Sequence, residues 1–411
     1  MLLLSCAQAG ACKSLLRPLT MQTPERQISA TPIQASKMDR TTEFVLLVCI
    51  TCLLQLGAIQ GALAPLLALP PPSRIPVVLD TDIGTDFDDC MALHYLLSAS
   101  KPGDPGAVFD IKLVQVSTFN TTKRAQIVAN ILETLGRFDV PIAVGEYGGE
   151  QVMPEFNVAS TADLASFVAK GGSVSWGTAA LLAEVTAASP QSPLFVIEIS
   201  PATSLGAVLA SNPSLAANVV VSAMSGSVNR GYFNASVSRE YNVIIDIAAS
   251  RTMYNASYAA PLLVHPLDST VFDQFVGDTY GLLLTANGTS ACASSLLRHY
   301  EIWFENGGKQ YRAMLPFSPY VGADQGTSTM YDVQAAWAVP VYAAALLKGS
   351  PPALPWTDVQ AVNLVVNASG YSVEDASGRS VYVALRWLPV DQTRAQVEKF
   401  GREVIESIVR A

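Results

Sequence analysis

Five aspartates fall within ten positions of one short stretch: Asp80, Asp82, Asp86, Asp88 and Asp89, in IPVVLDTDIGTDFDDCMAL. An apolar run, Ile75–Leu79, leads straight into them, and a helix-like stretch follows. Carboxylates crowded at the end of one strand repel each other. A hard cation with oxygen ligands is the simplest way to make the arrangement stable. Gly84 permits the sharp turn that such a loop needs. Asp88 and Asp89 stand where a helix opens, and carboxylates suit the positive end of its dipole. An acidic loop with helix caps would account for one or two of these residues, but not for five. The chemistry expected is that of a metal or polar-ligand site beyond the carboxyl end of a strand, where ligands bind in open α/β sheets.

The elements around this stretch must hold it in place. Continuous apolar runs read as strands at Ile75–Leu79, Ile111–Val116, Leu194–Ile199, Val219–Ala223 and Leu262–His265. Helical patterns fall at Asp89–Leu97, Thr122–Leu135, Trp176–Ala188 and Ser204–Ala210. Runs without polar alternation belong to strands covered on both faces, and strand–helix alternation implies a parallel sheet. The last third predicts a helix over Asp332–Leu347, strands around Val362–Val366 and Val381–Leu385, and a C-terminal helix from Asp391. The fold class expected is α/β: one large domain over residues 74–411, with a mostly parallel, open, doubly wound sheet flanked by helices.

The motif DTDIGTDFDD, with Ala92-Leu93 after it, resembles the N-terminal signature of the inosine–uridine-preferring nucleoside hydrolase family, usually D-x-D-x-G-x-D-D, with two extra residues here. Later segments resemble the family in the same order. They are the turn Ser117–Thr122 around Asn120, with Thr121 as the alternative match and a helix N-cap as the plain reading of Asn120, the turn Ser200–Leu205 around Thr203, the trio Asn234, Glu240 and Asn242, and the helix start Tyr331-Asp332. The resemblance implies an open α/β fold and calcium-dependent hydrolysis of the N-glycosidic bond of ribonucleosides, as in nucleoside salvage. It assigns Ca2+ to Asp82, Asp89, the Thr203 carbonyl and Asp332. Asp82 would also be the general base toward the attacking water. Asp88, Asn120, Asn234, Glu240 and Asn242 would hold the ribose. Tyr331 stands where many members carry His and would meet the leaving base. The extra residues leave Asp86 and Asp88 as rival matches to one family position. The family also implies a homo-oligomer, dimer or tetramer.

Composition bounds the partners. The 411 residues are 50% hydrophobic with a formal charge of −9. No basic footprint for a nucleic-acid polymer is present, so a small substrate fits better. Residues 1–73 read as a leader. Lys37 and Arg40 precede the apolar run Phe44–Leu54, Ala62-Leu63-Ala64 follows, and Pro70-Pro71-Pro72 forms a hinge. That order is the one of a secretory signal, giving a secreted or lumenal protein. The run is short against the roughly 20 residues of a spanning helix, and an uncleaved membrane anchor is the alternative. Beyond the leader only Cys90 and Cys292 remain, either as free thiols or as one disulfide. Five N-x-S/T sequons start at Asn120, Asn234, Asn255, Asn287 and Asn367.

Two other readings remain open on the residues alone. D-T-D after a first strand also fits a haloacid dehalogenase-type phosphatase, with Asp80 as nucleophile and Asp82 as acid. A relative that binds ribosyl compounds without cleaving them would keep the same acidic residues.

Overall fold

The computed structural model describes residues 74–151, 154–155, 163–308 and 324–411. The leader and hinge assigned to residues 1–73 lie outside the described residues. Ten strands form one sheet: β1 (Ile75–Thr81), β2 (Phe109–Val116), β3 (Ile142–Val144), β4 (Val174–Trp176), β5 (Leu194–Ile199), β6 (Val219–Met224), β7 (Leu263–His265), β8 (Thr357–Val366), β9 (Ser372–Glu374) and β10 (Arg379–Trp387). Their order is β4-β3-β2-β1-β5-β6-β7-β10-β8-β9. Pairing is parallel from β4 through β7 to β10, and antiparallel between β10, β8 and β9. The chain winds outward from β1 through β2, β3 and β4, then returns to β5 on the other side. The reversal makes a crevice at the carboxyl ends of β1 and β5, where doubly wound sheets bind ligands.

Strand alternation divides the core between the two faces of the sheet. Val77, Leu79, Phe195, Ile197 and Ile199 join the apolar layer on one face. Val78, Leu194 and Val196 join the layer on the other. Both faces are covered, which explains the unbroken apolar runs. Helix α1 (Asp88–Ser98) lies almost wholly inside the first layer. It packs against α2 (Ala291–Trp303), α3 (Val333–Trp337) and α4 (Thr393–Arg410). The last is amphipathic and buries Val397, Phe400, Val404, Ile405 and Ile408 at helical spacing.

Several boundaries depart from the sequence pattern. β3 and β4 have three residues each, too few for any periodicity to show. The helix expected from Trp176 begins at Ala179. Trp176 instead ends β4, paired with Val144, and Gly177 in a left-handed conformation separates strand from helix. The helix expected over Asp332–Leu347 is two helices, α3 and a second at Val339–Leu347. Pro340 lacks the N–H that a continuous helix would need at that position. The C-terminal helix begins at Thr393, and Asp391 lies in the 3-10 turn before it. Cys90 and Cys292 are buried free thiols, so the disulfide alternative does not hold. Among the described residues, no helix is long and apolar enough to cross a membrane.

Candidate active site

The carboxyl end of β1 divides its aspartates between two environments. Asp80 points beneath the crevice, fully buried and in register with Glu198 of β5. Ser117 Oγ donates to its Oδ1 at 2.5 Å, and burial pushes its carboxyl up to about 7. Asp80 does not line the crevice, so the phosphatase reading loses its nucleophile. Thr81 ties the strand end to α1. Its hydroxyl donates to Asp89 Oδ1 at 2.5 Å and accepts from the Ile83 N–H at 3.1 Å. Gly84, at φ 112°, makes the turn between them.

Above that floor lies a cleft of about 380 Å3. Asp82, Asp86, Asp88, Asp89 and Asp332 line its acidic side, and Glu240, Asn242, Tyr232, Tyr241 and Tyr331 line much of the rest. Carboxylate oxygens of Asp88, Asp89 and Asp332 all lie within 4.8 Å of one another, and all three residues are buried. Asp88 rather than Asp86 therefore joins Asp89 in the compact set. Asp332 sits at the N-terminus of α3, yet its side chain caps no backbone N–H. Burial, and then the neighbouring carboxylates, push the acid groups of Asp88, Asp89 and Asp332 well above the usual range. Asp86 is raised to about 6, chiefly by burial. Asp82 is raised by burial too, and the Arg124 guanidinium opposes that shift. Three converging buried oxygens with no compensating cation among them fit a hard divalent ion, because such ions prefer all-oxygen sets.

The opposite side suits a polyhydroxylated ligand. Glu240 caps the short helix Tyr241–Ile245, and its carboxylate accepts from the N–H groups of Asn242 (2.7 Å), Gly226 (3.0 Å) and Val243 (3.2 Å). Burial still raises it to about 7. Asn242 donates to the Met224 carbonyl at 3.1 Å, which orients its amide. Tyr331 packs edge-on to Tyr232, with ring centres 6.1 Å apart. Burial, Asp86 and Asp88 raise the Tyr331 hydroxyl pKa, so it stays a hydrogen-bond donor.

Three residues carried over from the family pattern are not brought to the cleft. Asn120 caps the helix Thr121–Thr134 through Lys123 N, and its amide donates to both Glu150 oxygens at 3.0 and 3.1 Å. Asn234 is exposed on a left-handed turn at φ 60°, held by Arg230. Thr203 opens a helix, and its hydroxyl donates to Asp246 at 3.0 Å. None of the three lines the cleft. His94 is packing, as its place in α1 implies. It donates from Nδ1 to the Cys90 carbonyl at 2.8 Å, and burial lowers it to about 3. Sequence reasoning missed Thr85, Gln151, Tyr232, Phe233 and Tyr241 as lining residues, and Arg124 behind them. The one available signal was Tyr241, flanked by Glu240 and Asn242.

A family model described as inosine-uridine preferring nucleoside hydrolase matches residues 77–396. The chain belongs to this nucleoside hydrolase family. Such enzymes hydrolyse N-glycosyl bonds of ribonucleosides, and this family member is an enzyme of that class with a small-molecule substrate. Comparison with curated proteins finds no match. Among solved structures, the chain is similar in fold to an inosine-guanosine nucleoside hydrolase, at TM-score 0.58 and 15% identity, with 82% of this chain and 99% of that chain covered. It is similarly close to a purine-preferring ribonucleoside hydrolase from Gardnerella vaginalis, at TM-score 0.57 and 15% identity, covering 82% and 100%. The large, mostly parallel sheet flanked by helices is the fold these structures share with it.

Proposed function

We propose that this family member is a calcium-dependent ribonucleoside hydrolase of nucleoside salvage that uses Asp82 as general base. The observation that carries this reading is the compact oxygen set of Asp88, Asp89 and Asp332, with Asp82 beside it in one cleft. Asp82, Asp88, Asp89 and Asp332 would hold the ion. When bound, calcium supplies a Lewis acid that lowers the pKa of the attacking water and fixes sugar hydroxyls. The residues of the chain do the rest. Asp82 accepts the water proton as the water oxygen bonds to C1′. The C1′–N bond breaks, and its electron pair leaves with the base. The carboxylates beside C1′ stabilise the positive charge that develops on the sugar. Asn242 and Glu240 hold ribose hydroxyls, and Tyr331 donates a hydrogen bond toward the leaving base. Export through the leader, and a dimer or tetramer, complete the proposal on sequence and family grounds.

Asp82→Asn keeps the shape and removes the base. It is expected to lower kcat by about 10²–10⁴-fold. Near-normal turnover by this variant contradicts the mechanism. Tight nucleoside binding without base release by the unaltered protein would instead identify a ribosyl-binding relative.

A further inference from the structure

Arg124 is fully buried, and none of the family-like motifs includes it. A buried guanidinium is costly unless its charge and its N–H groups are satisfied. Its nearest carboxylate oxygen, Asp82 Oδ2, stands 3.6 Å from Nη2. That is well beyond the roughly 2.7–2.9 Å of a charge-assisted hydrogen bond. The donors go instead to neutral oxygens. Nε donates to the Thr118 carbonyl at 3.0 Å, and Nη1 to the Ile83 carbonyl at 2.8 Å. Nη1 and Nη2 reach Thr85 Oγ1 at 3.3 and 3.2 Å, and Nη2 donates to Gln151 Oε1 at 2.7 Å.

This geometry has two consequences. Ile83 and Thr85 flank Gly84, so the guanidinium grips both sides of the turn that aims Asp82. Gln151 passes the constraint on, because its amide donates to the Tyr241 hydroxyl on the cleft wall at 2.8 Å. Meanwhile the positive charge stands beside Asp82 without occupying its lone pairs. A bidentate pair would have balanced the charge and blocked the oxygens. A carboxylate that must stay available to a cation needs the arrangement seen here. Among the described residues, no lysine or arginine lines the cleft itself, so this compensation comes from behind it.

We infer that Arg124 is the positioning residue of the acidic turn, setting Asp82 and, through Gln151, Tyr241 for cation binding and hydrolysis. The hydrolysis part rests on the role proposed for Asp82, whereas the cation part stands without it. The test is Arg124→Lys in the full chain, which keeps the charge and loses the fork of hydrogen bonds. Calcium affinity is measured by calorimetry without nucleoside, and kcat and KM are measured at saturating calcium. Calcium binding is expected to weaken by about 10- to 100-fold, the usual effect of losing an outer-shell partner. At saturating calcium kcat falls by a similar factor while KM stays within about threefold, since ground-state sugar contacts remain. Thr85→Val, which removes the hydroxyl that accepts from Nη1 and Nη2 and donates to Gln151 Oε1 but leaves the other three Arg124 bonds, moves calcium affinity the same way by a smaller factor and serves if the lysine variant does not fold. Wild-type calcium affinity in the variants overturns the inference, whether or not any nucleoside is cleaved. Calcium binding without cleavage by the unaltered protein sinks the proposed activity and leaves the calorimetry to decide the role of Arg124.

Discussion

Asp332→Asn should stabilise the ion-free protein while removing its response to calcium. The oxygens of Asp332, Asp88 and Asp89 lie within 4.8 Å of one another. Two full charges at that separation repel by about 3.5 kcal/mol at an effective dielectric near 20. Burial and mutual repulsion push these acids well up, which brings the repulsion relieved below that figure, to about 1–2 kcal/mol. Asparagine is nearly isosteric, and Asp332 makes no side-chain cap that would be lost. In chelator at pH 8 the variant should therefore melt about 1–3 °C above the unaltered protein. Calcium at a hundredfold excess over its Kd should stabilise the unaltered protein by about 2.7 kcal/mol through mass action. The variant should gain little, so the order of the two reverses on adding calcium. The assay is differential scanning calorimetry with and without calcium. A variant that melts lower in chelator and shifts as much with calcium as the unaltered protein refutes the argument that Asp332 belongs to a repelling, cation-seeking set.

The ion-free protein should lose stability as pH rises. Asp86 at about 6, and Asp80 and Glu240 at about 7, hold protons in the folded state that they release when unfolded. Folded pKa values above the unfolded ones give stability that is complete below about pH 4 and lost as pH passes through 6 to 7. Urea midpoints in chelator should fall between pH 5 and pH 8, and a rise would contradict the burial assigned to these acids. Tyr331→Phe should lower kcat by about tenfold, the value of one hydrogen bond favouring the transition state, and leave KM nearly unchanged. Steady-state kinetics on a purine and a pyrimidine nucleoside check this, and an unchanged kcat removes Tyr331 from the reaction.

The acidic site was legible because repulsion among five close aspartates has few structural solutions. The central strands were legible because burial on both faces leaves an unbroken apolar run. The residues that the structure places away from the cleft have physical reasons for lying there. An asparagine that caps a helix and one that holds a sugar use the same amide, and only Glu150 across the turn shows how Asn120 is spent. Asn234 kept the family spacing to Glu240, but its left-handed turn carries the side chain outward. Arg124 falls inside the expected helix Thr122–Leu135, and nothing in the sequence singles it out. It is buried because Thr118 and Phe119, both with positive φ and neither a glycine, fold the preceding turn over it. Side-chain placement of that kind leaves no periodic trace.

The most direct test is release of free base and ribose from a panel of ribonucleosides by the purified protein, with calcium and with a chelator. Release that stops in chelator and returns with added calcium is the predicted result. A folded, calcium-loaded protein that releases no base from any ribonucleoside would contradict the central claim.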